Sequence, residues 1–214
     1  MHMYIRLLER IVSRSGPSRV LSFNTAHVLK CLQLLQQNEF ASRALLVKEL
    51  DLGEGSIKTL IKHLKTNNII ETRKSGCYLT NKGKKLSTNL FAVLSTEVEI
   101  PVNSITIGNY NHAVLLRDYA FAVTSGIEQR DAVIKIGGDG ATTLLFKDNK
   151  FVMPKTSHDC LSKELKIRNL LISKLQPKDG DVIIIGSASK KIIAELGAKS
   201  AALFTIASHE KHNY

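Results

Sequence analysis

From Leu45 to Leu79 the apolar positions recur first at helical and then at strand spacing. Ile57, Leu60, Ile61 and Leu64 stand at i, i+3, i+4 and i+7, one stripe of an amphipathic helix. The opposite side carries Ser56, Lys58, Thr59, Lys62, His63 and Lys65, donors and cations of the kind that meet phosphates and base edges. Ser42 opens a preceding helix that ends near Leu50. The stretch from Leu50 to Glu54 makes the turn, with Gly53 at the N-cap of the second helix and Glu54 complementing its dipole. Beyond it, Ile69–Arg73 and Cys77–Leu79 read as short strands reversed through Lys74-Ser75-Gly76, with Arg73 and Lys74 at the tip. Thr80 caps a closing helix from Asn81 to about Leu90, and Thr25–Gln36 supplies the first helix of the same module. Two helices at a tight turn followed by a basic hairpin make a winged helix-turn-helix. Upstream, Met3–Val12 is a short helix whose wide apolar surface (Ile5, Leu8 and Val12 beside Tyr4, Leu7 and Ile11) calls for a partner, in the second domain or on another subunit.

Pro101 begins an extended segment and puts the boundary between about Phe91 and Pro101, giving one domain over residues 1–95 and another over 96–214. Val102–Ile107 and His112–Arg117 read as strands around Gly108-Asn109. Ser125-x-x-Glu128 is a capping box that starts a helix from Gly126 to about Ile136, and Gly137–Gly140 ends it in a loop. Thr142–Phe146 and Phe151–Met153 form a hairpin across Asp148-Asn149, and Leu161–Leu175 a helix closed by Pro177. Asp181–Gly186, a helix from about Ala188 to Leu196, Gly197, and Ala201–Ile206 read as a β-α-β unit whose first strand is buried and parallel. The predicted fold class is therefore α+β or α/β: an N-terminal winged helix-turn-helix plus a C-terminal mixed α/β domain ending in a β-α-β unit.

Charge separates the two parts. Nine of the eleven net positive charges fall in residues 1–95, which suits a nucleic-acid-binding domain joined to a nearly neutral one. Arg14 and Arg19, in the loop after the first helix, suit a minor-groove or phosphate-touching arm and equally a solvated linker. The apolar runs are far too short to span a membrane, and Arg6, Glu9 and Arg10 interrupt the N-terminal apolar residues, so no signal peptide or membrane partner is expected. Three scattered cysteines, Cys31, Cys77 and Cys160, form no CxxC pair; free thiols in the cytoplasm are expected, with neither disulfides nor zinc. His209 and His212 lie in a polar tail and are expected to bind no metal. No nucleophile elbow and no HExxH stands in the chain, so no catalytic residue and no cofactor is assigned. Two Gly-rich loops suit a small ligand. One, Gly137 to Thr143, combines Asp139, Thr142 and Thr143 with Glu128, Arg130 and Asp131 of the helix before it. The other, Gly186-Ser187-Ala188-Ser189, precedes a helix N-terminus and offers Gly186, Ser187 and Ser189, without a GxGxxG or Walker pattern. A salt-bridged helix surface and a plain strand-to-helix turn are the alternatives for these two.

Gly16-Pro17-Ser18, Ser22-Phe23, His27-Val28, LDLGEGSIKTLIKHLK from Leu50 and YLTNKGKKL from Tyr78 resemble an archaeal family with an N-terminal winged helix and a C-terminal domain of unknown function. The resemblance continues through Gly126–Asp131, Gly140–Lys147 and Asp181–Ser189. It implies a transcriptional regulator and names no ligand. The reading that results is a homodimeric regulator binding double-stranded DNA. Ser56, Lys58, Thr59, Lys62, His63 and Lys65 face the groove, and Arg73 and Lys74 meet the backbone. The C-terminal domain senses a small-molecule effector or holds subunits together. The alternatives are a nucleotide- or metabolite-binding enzyme with a winged-helix appendage, and a protein-interaction module.

Overall fold

A computed structural model describes residues 1–13 and 20–208. Arg14, Arg19 and Gly16-Pro17-Ser18, as well as His209 and His212, lie outside the described residues. Two compact units divide the chain after Leu90.

The first unit contains α1 (His2–Ile11), α2 (Thr25–Gln37), α3 (Arg43–Leu50), α4 (Glu54–Thr66), β1 (Ile70–Arg73), β2 (Gly76–Leu79) and most of α5 (Asn81–Val93). Each start has a local cause. Asn24 and His27 form a capping box at α2, Ser42 Oγ accepts the Leu45 N–H at 3.1 Å to open α3, and Thr80 Oγ1 accepts the Gly83 N–H at 3.0 Å to open α5. Ile57, Leu60 and Leu64 of α4 are buried together with Val28, Leu29, Leu32, Leu46 and Leu50. β1 and β2 pair antiparallel, with Arg73 opposite Gly76. Gly76 is required there: its φ is +131°, and a Cβ would lie 2.5 Å from the Ala41 carbonyl oxygen. That approach lets Ala41 and Cys77 exchange two 2.9 Å hydrogen bonds, which anchor the wing to the chain ahead of α3. The apolar side of α1 finds its partner within the unit, burying Ile5, Leu8 and Ile11 and packing on α2.

The second unit is a five-stranded sheet. It holds β3 (Leu94–Ile100), β4 (Tyr110–Leu116), β5 (Gly140–Lys147), β6 (Lys150–Val152) and β7 (Val182–Ala188), in the order β3-β4-β7-β5-β6. Every neighbouring pair is antiparallel. Helix α7 (Leu165–Leu175) covers one face over Leu115, Phe146, Phe151, Ile183 and Ile185. Helices α6 (Ile127–Ile134) and α8 (Lys191–Ser208) pack together and against the sheet.

The mixed α+β class holds, while three local expectations do not. First, β7 is buried as its apolar run requires, yet it runs antiparallel to both neighbours, β4 and β5. Second, Ala201–Ile206 is helix rather than strand, so no β-α-β unit closes the chain. Gly197 does not break α8, because its missing side chain admits α6: a Cβ there would lie 2.9 Å from Val133 Cγ1. Third, β3 precedes Pro101, whereas Val102–Ile107 is irregular, held by Asn103 Oδ1 accepting the Ile105 N–H at 3.0 Å.

Candidate functional site

The exposed side of α4 sorts its polar residues into two groups. Lys58 and Lys62, one turn apart, are exposed and have no ion-pair or hydrogen-bond partner among the described residues. Ser56 and Thr59 flank them, half-buried; the Thr59 hydroxyl donates to the Gly55 carbonyl at 3.0 Å and keeps its lone pairs for a donor outside. His63 belongs elsewhere. Its Nδ1 lies 2.6 Å from the Ile11 carbonyl oxygen, and its ring meets Phe23 edge-on at 5.7 Å. The expected groove contact from His63 is thus corrected: the ring ties α4 to α1. Lys65 reaches across to Thr72 Oγ1 of β1 at 3.1 Å and braces the wing.

On the wing, Lys74 is exposed at the tip, and Arg73 lies over the Tyr78 ring with 4.8 Å to its centroid. The Tyr78 hydroxyl donates to Glu71 Oε2 at 2.5 Å, which holds the ring under the guanidinium. At the other end of α4, Arg10 Nε donates to Asn67 Oδ1 at 3.0 Å and Lys82 Nζ to the Asn67 carbonyl at 2.9 Å. Two exposed cations therefore stand where the helix dipole is negative and serve a structural use there.

The ligand pocket expected from the two Gly-rich loops is not assembled. The loops do meet, since the Asp139 N–H donates to the Ser187 carbonyl at 2.8 Å, but they pack on protein. Gly186 is roofed by α8: a Cβ would lie 2.5 Å from the Ala194 carbonyl oxygen and 2.7 Å from the Ala198 nitrogen. Ser187 is fully buried and donates to Asn111 Oδ1 at 2.6 Å, and Thr142 donates to the Ile105 carbonyl at 2.6 Å. Thr143 is buried, with no hydrogen-bond partner for its hydroxyl among the described residues. The Ser125 hydroxyl donates to Glu128 Oε2 at 3.1 Å, but the expected capping box does not form: Gly126 is the N-cap of α6 and no side chain caps it. Arg130 and Asp131 pair with each other at 3.0 Å on the surface, and Asp139 and Ser189 are exposed. Arg130 and Asp131 thus form a salt-bridged helix surface.

A different constellation stands at the corner of β3, β4 and α8. Lys191, Glu195 and Lys199 form one stripe of α8, four residues apart. Lys199 Nζ sits 2.5 Å from Glu97 Oε2 and 2.7 Å from Glu195 Oε1, and is buried; Lys191 pairs with Glu99 nearer the surface. His112, opposite Glu99 in the β3–β4 register, places Nε2 at 3.5 Å from Glu97 Oε2, too long for a good hydrogen bond. Neither of its ring nitrogens has a hydrogen-bond partner among the described residues. Burial alone would push the Glu97 carboxyl up, but the His112 ring and the Lys199 ammonium together hold it well below the usual carboxylate range. Beside this network opens a cleft of about 380 Å³ lined by Glu99, Asn109, Tyr110, His112, Lys191 and Ala194. Its sequence signals were charges at i, i+4 and i+8 on an otherwise apolar helix, and glutamates two apart on a strand.

Residues 27–85 match the family model "PH0730-like, N-terminal domain", and residues 107–206 match the model "Domain of unknown function (DUF4443)". Among solved structures, "Hypothetical protein PH0730 from Pyrococcus horikoshii OT3" is similar, with 24% identity, 90% of this chain and 96% of that chain covered, and a TM-score of 0.67. At that identity the likeness speaks for the fold. The two matched segments fall one in each unit of the chain. No curated protein is significantly similar to the chain. Among the described residues no helix is long and apolar enough to cross a membrane.

Proposed function

We propose that the chain is a DNA-binding transcriptional regulator whose first unit reads double-stranded DNA and whose second unit senses a small molecule or joins subunits. The observation that carries this is the pair Lys58 and Lys62, exposed one turn apart on α4 and free of partners among the described residues, with Lys74 exposed on the wing beyond them. A helix-turn-helix presents its second helix to the major groove, where such side chains meet phosphates and bases. Ser56 and Thr59 contribute hydroxyls between the lysines, and Arg73 and Lys74 meet the adjacent backbone. A homodimer would read paired half-sites, and effector binding in the second unit would alter their spacing.

The test is fluorescence anisotropy of the full chain on genomic fragments, titrated between 50 and 200 mM salt. Binding should prefer some fragments and fall steeply with salt. Removing two phosphate contacts by Lys58→Ala with Lys62→Ala should lower the slope of log K against log salt by about 2. Reversing both to Glu should abolish binding. Binding that ignores salt, or is indifferent to both pairs of substitutions, rules the regulator out.

A further inference from the structure

Helix α6 turns its largest apolar residues to water. Gln129, Ala132 and Val133 face the core, yet Ile127 and Ile134 are 51% and 48% exposed. At about 3.6 residues per turn, seven positions make nearly two whole turns, so the two isoleucines stand in line on the side opposite the buried one. An ordinary surface helix keeps polar residues there. The apolar patch extends beyond the helix. Ile107, 71% exposed, comes within 3.0 Å of where a Gly140 Cβ would stand, and the Arg130 stem lies 3.5 Å from the same point. Single exposed apolar side chains are common; three isoleucines gathered about one short helix mark a contact surface. Between Ile127 and Ile134, Arg130 and Asp131 neutralise each other at 3.0 Å. One flank carries Glu128 at the start of the helix and Lys135 at its end, both exposed, and the Lys135 ammonium has no partner among the described residues.

We propose that this ridge docks a second copy of the chain, with the two α6 helices antiparallel about a two-fold axis. A two-fold contact uses the same patch on both chains, so the ridge must fit its own reverse. Turned end for end, Ile127 falls against Ile134 of the second copy, and Ile134 against its Ile127. A two-fold axis in the plane of contact keeps each flank on its own side. Glu128 therefore meets Lys135 of the second copy, and the pairing occurs twice. Two acids and two bases on the ridge cancel, which suits neither nucleic acid nor an anionic surface and does suit a partner of the same make-up. Two turns of helix make a small contact, so the dimer belongs to the weak, reversible class. Paired half-sites on DNA would hold it together by effective concentration. As the joint between two DNA-reading units this rests on the function proposed above; as a contact it does not, so the test contains no DNA.

Sedimentation of the full chain, from micromolar to millimolar concentration, should show a reversible monomer–dimer equilibrium. Glu128→Lys alone and Lys135→Glu alone each set like charges together at both ends of the contact, and each should weaken the dimer by about ten-fold or more. An equimolar mixture of these two variants should pair across, because every contact between positions 128 and 135 in the mixed dimer joins opposite charges. The chain carrying both changes should dimerise as the wild type does. A general effect of surface charge would give neither rescue. Ile127→Ser with Ile134→Ser should leave only monomer. A chain that stays monomeric at millimolar concentration, a dimer that both single reversals leave intact, or single variants that neither mixing nor combining rescues, overturns the proposal. A dimer through this face in a chain that binds no DNA would remove the regulator and keep the contact; DNA binding by a strict monomer would do the reverse.

Discussion

Acid should weaken the winged unit through His27. This residue is the third of α2, and its Nδ1 accepts the Asn24 N–H at 3.2 Å, while Asn24 Oδ1 accepts the Ala26 and His27 N–H groups at 3.0 and 3.3 Å. The reciprocal cap needs a lone pair on Nδ1, and so a neutral ring. Burial, and after it the nearby Lys30 ammonium, pushes the His27 pKa down to about 4 from 6.5, with Asp51 pulling weakly the other way. An unfolded chain therefore takes up this proton before the folded one does. Stability is complete above pH 6.5, falls between 6.5 and about 4, and falls no further from this source below that. At 1.36 kcal/mol per pH unit the full window amounts to about 3.4 kcal/mol. A protonated ring can donate to Asn24 Oδ1 at 2.9 Å and recover part of the loss, which leaves about 2–3 kcal/mol. The control is His27→Gln, since glutamine at this position completes a capping box without titrating. Urea unfolding of both full-length proteins, followed by helix ellipticity at pH 7.5 and pH 4.5, isolates the effect as a difference of differences. The wild type should lose about 2–3 kcal/mol more than the variant, roughly a 1 M shift in midpoint. Parallel pH profiles, with a double difference under about 0.5 kcal/mol, refute the argument.

Three further outcomes follow from the geometry. Lys199→Met leaves Glu97 and Glu195 facing each other in a buried site and should cost about 3–5 kcal/mol; adding Glu97→Gln should restore part of it in the same urea assay. Gly186→Ala drives a methyl to 2.5 Å from the Ala194 carbonyl and must lift α8 off β7, so thermal unfolding should show a loss above about 2 kcal/mol or no cooperative transition. Gly55, in the first turn of α4, has helical backbone and nothing within 4 Å of where a Cβ would stand. Gly55→Ala should therefore raise stability by about 0.5–1 kcal/mol while weakening DNA binding, if that bare backbone is kept for a phosphate; unchanged affinity would remove Gly55 from the interface.

The first unit was legible because its causes are local. The stripe Ile57-Leu60-Ile61-Leu64, the caps at Ser42 and Thr80 and the Gly76 turn each act within a few residues, so spacing alone reveals them. His63 was misplaced because its sequence position puts it on the polar side of α4, and what turns it inward is the Ile11 carbonyl, 52 residues away. The second unit fails the same method where glycines are concerned. Gly197 reads as a helix stop and Gly186 as part of a loop suited to a small ligand, yet both are flat places where one element lies against another, a fact held by Val133 and Ala194 rather than by the glycines. The charged corner is the sharpest case. Its members come from residues 97–99, 112 and 191–199, and no window contains them all. Still, a helix otherwise rich in Ile, Leu and Ala cannot bury Glu195 and Lys199 on one stripe unless charged or polar partners wait on the surface it covers. A strand that alternates Thr96, Val98 and Ile100 with Glu97 and Glu99 offers them at the right period. The pairing of those two segments was thus written as a charge-balance condition.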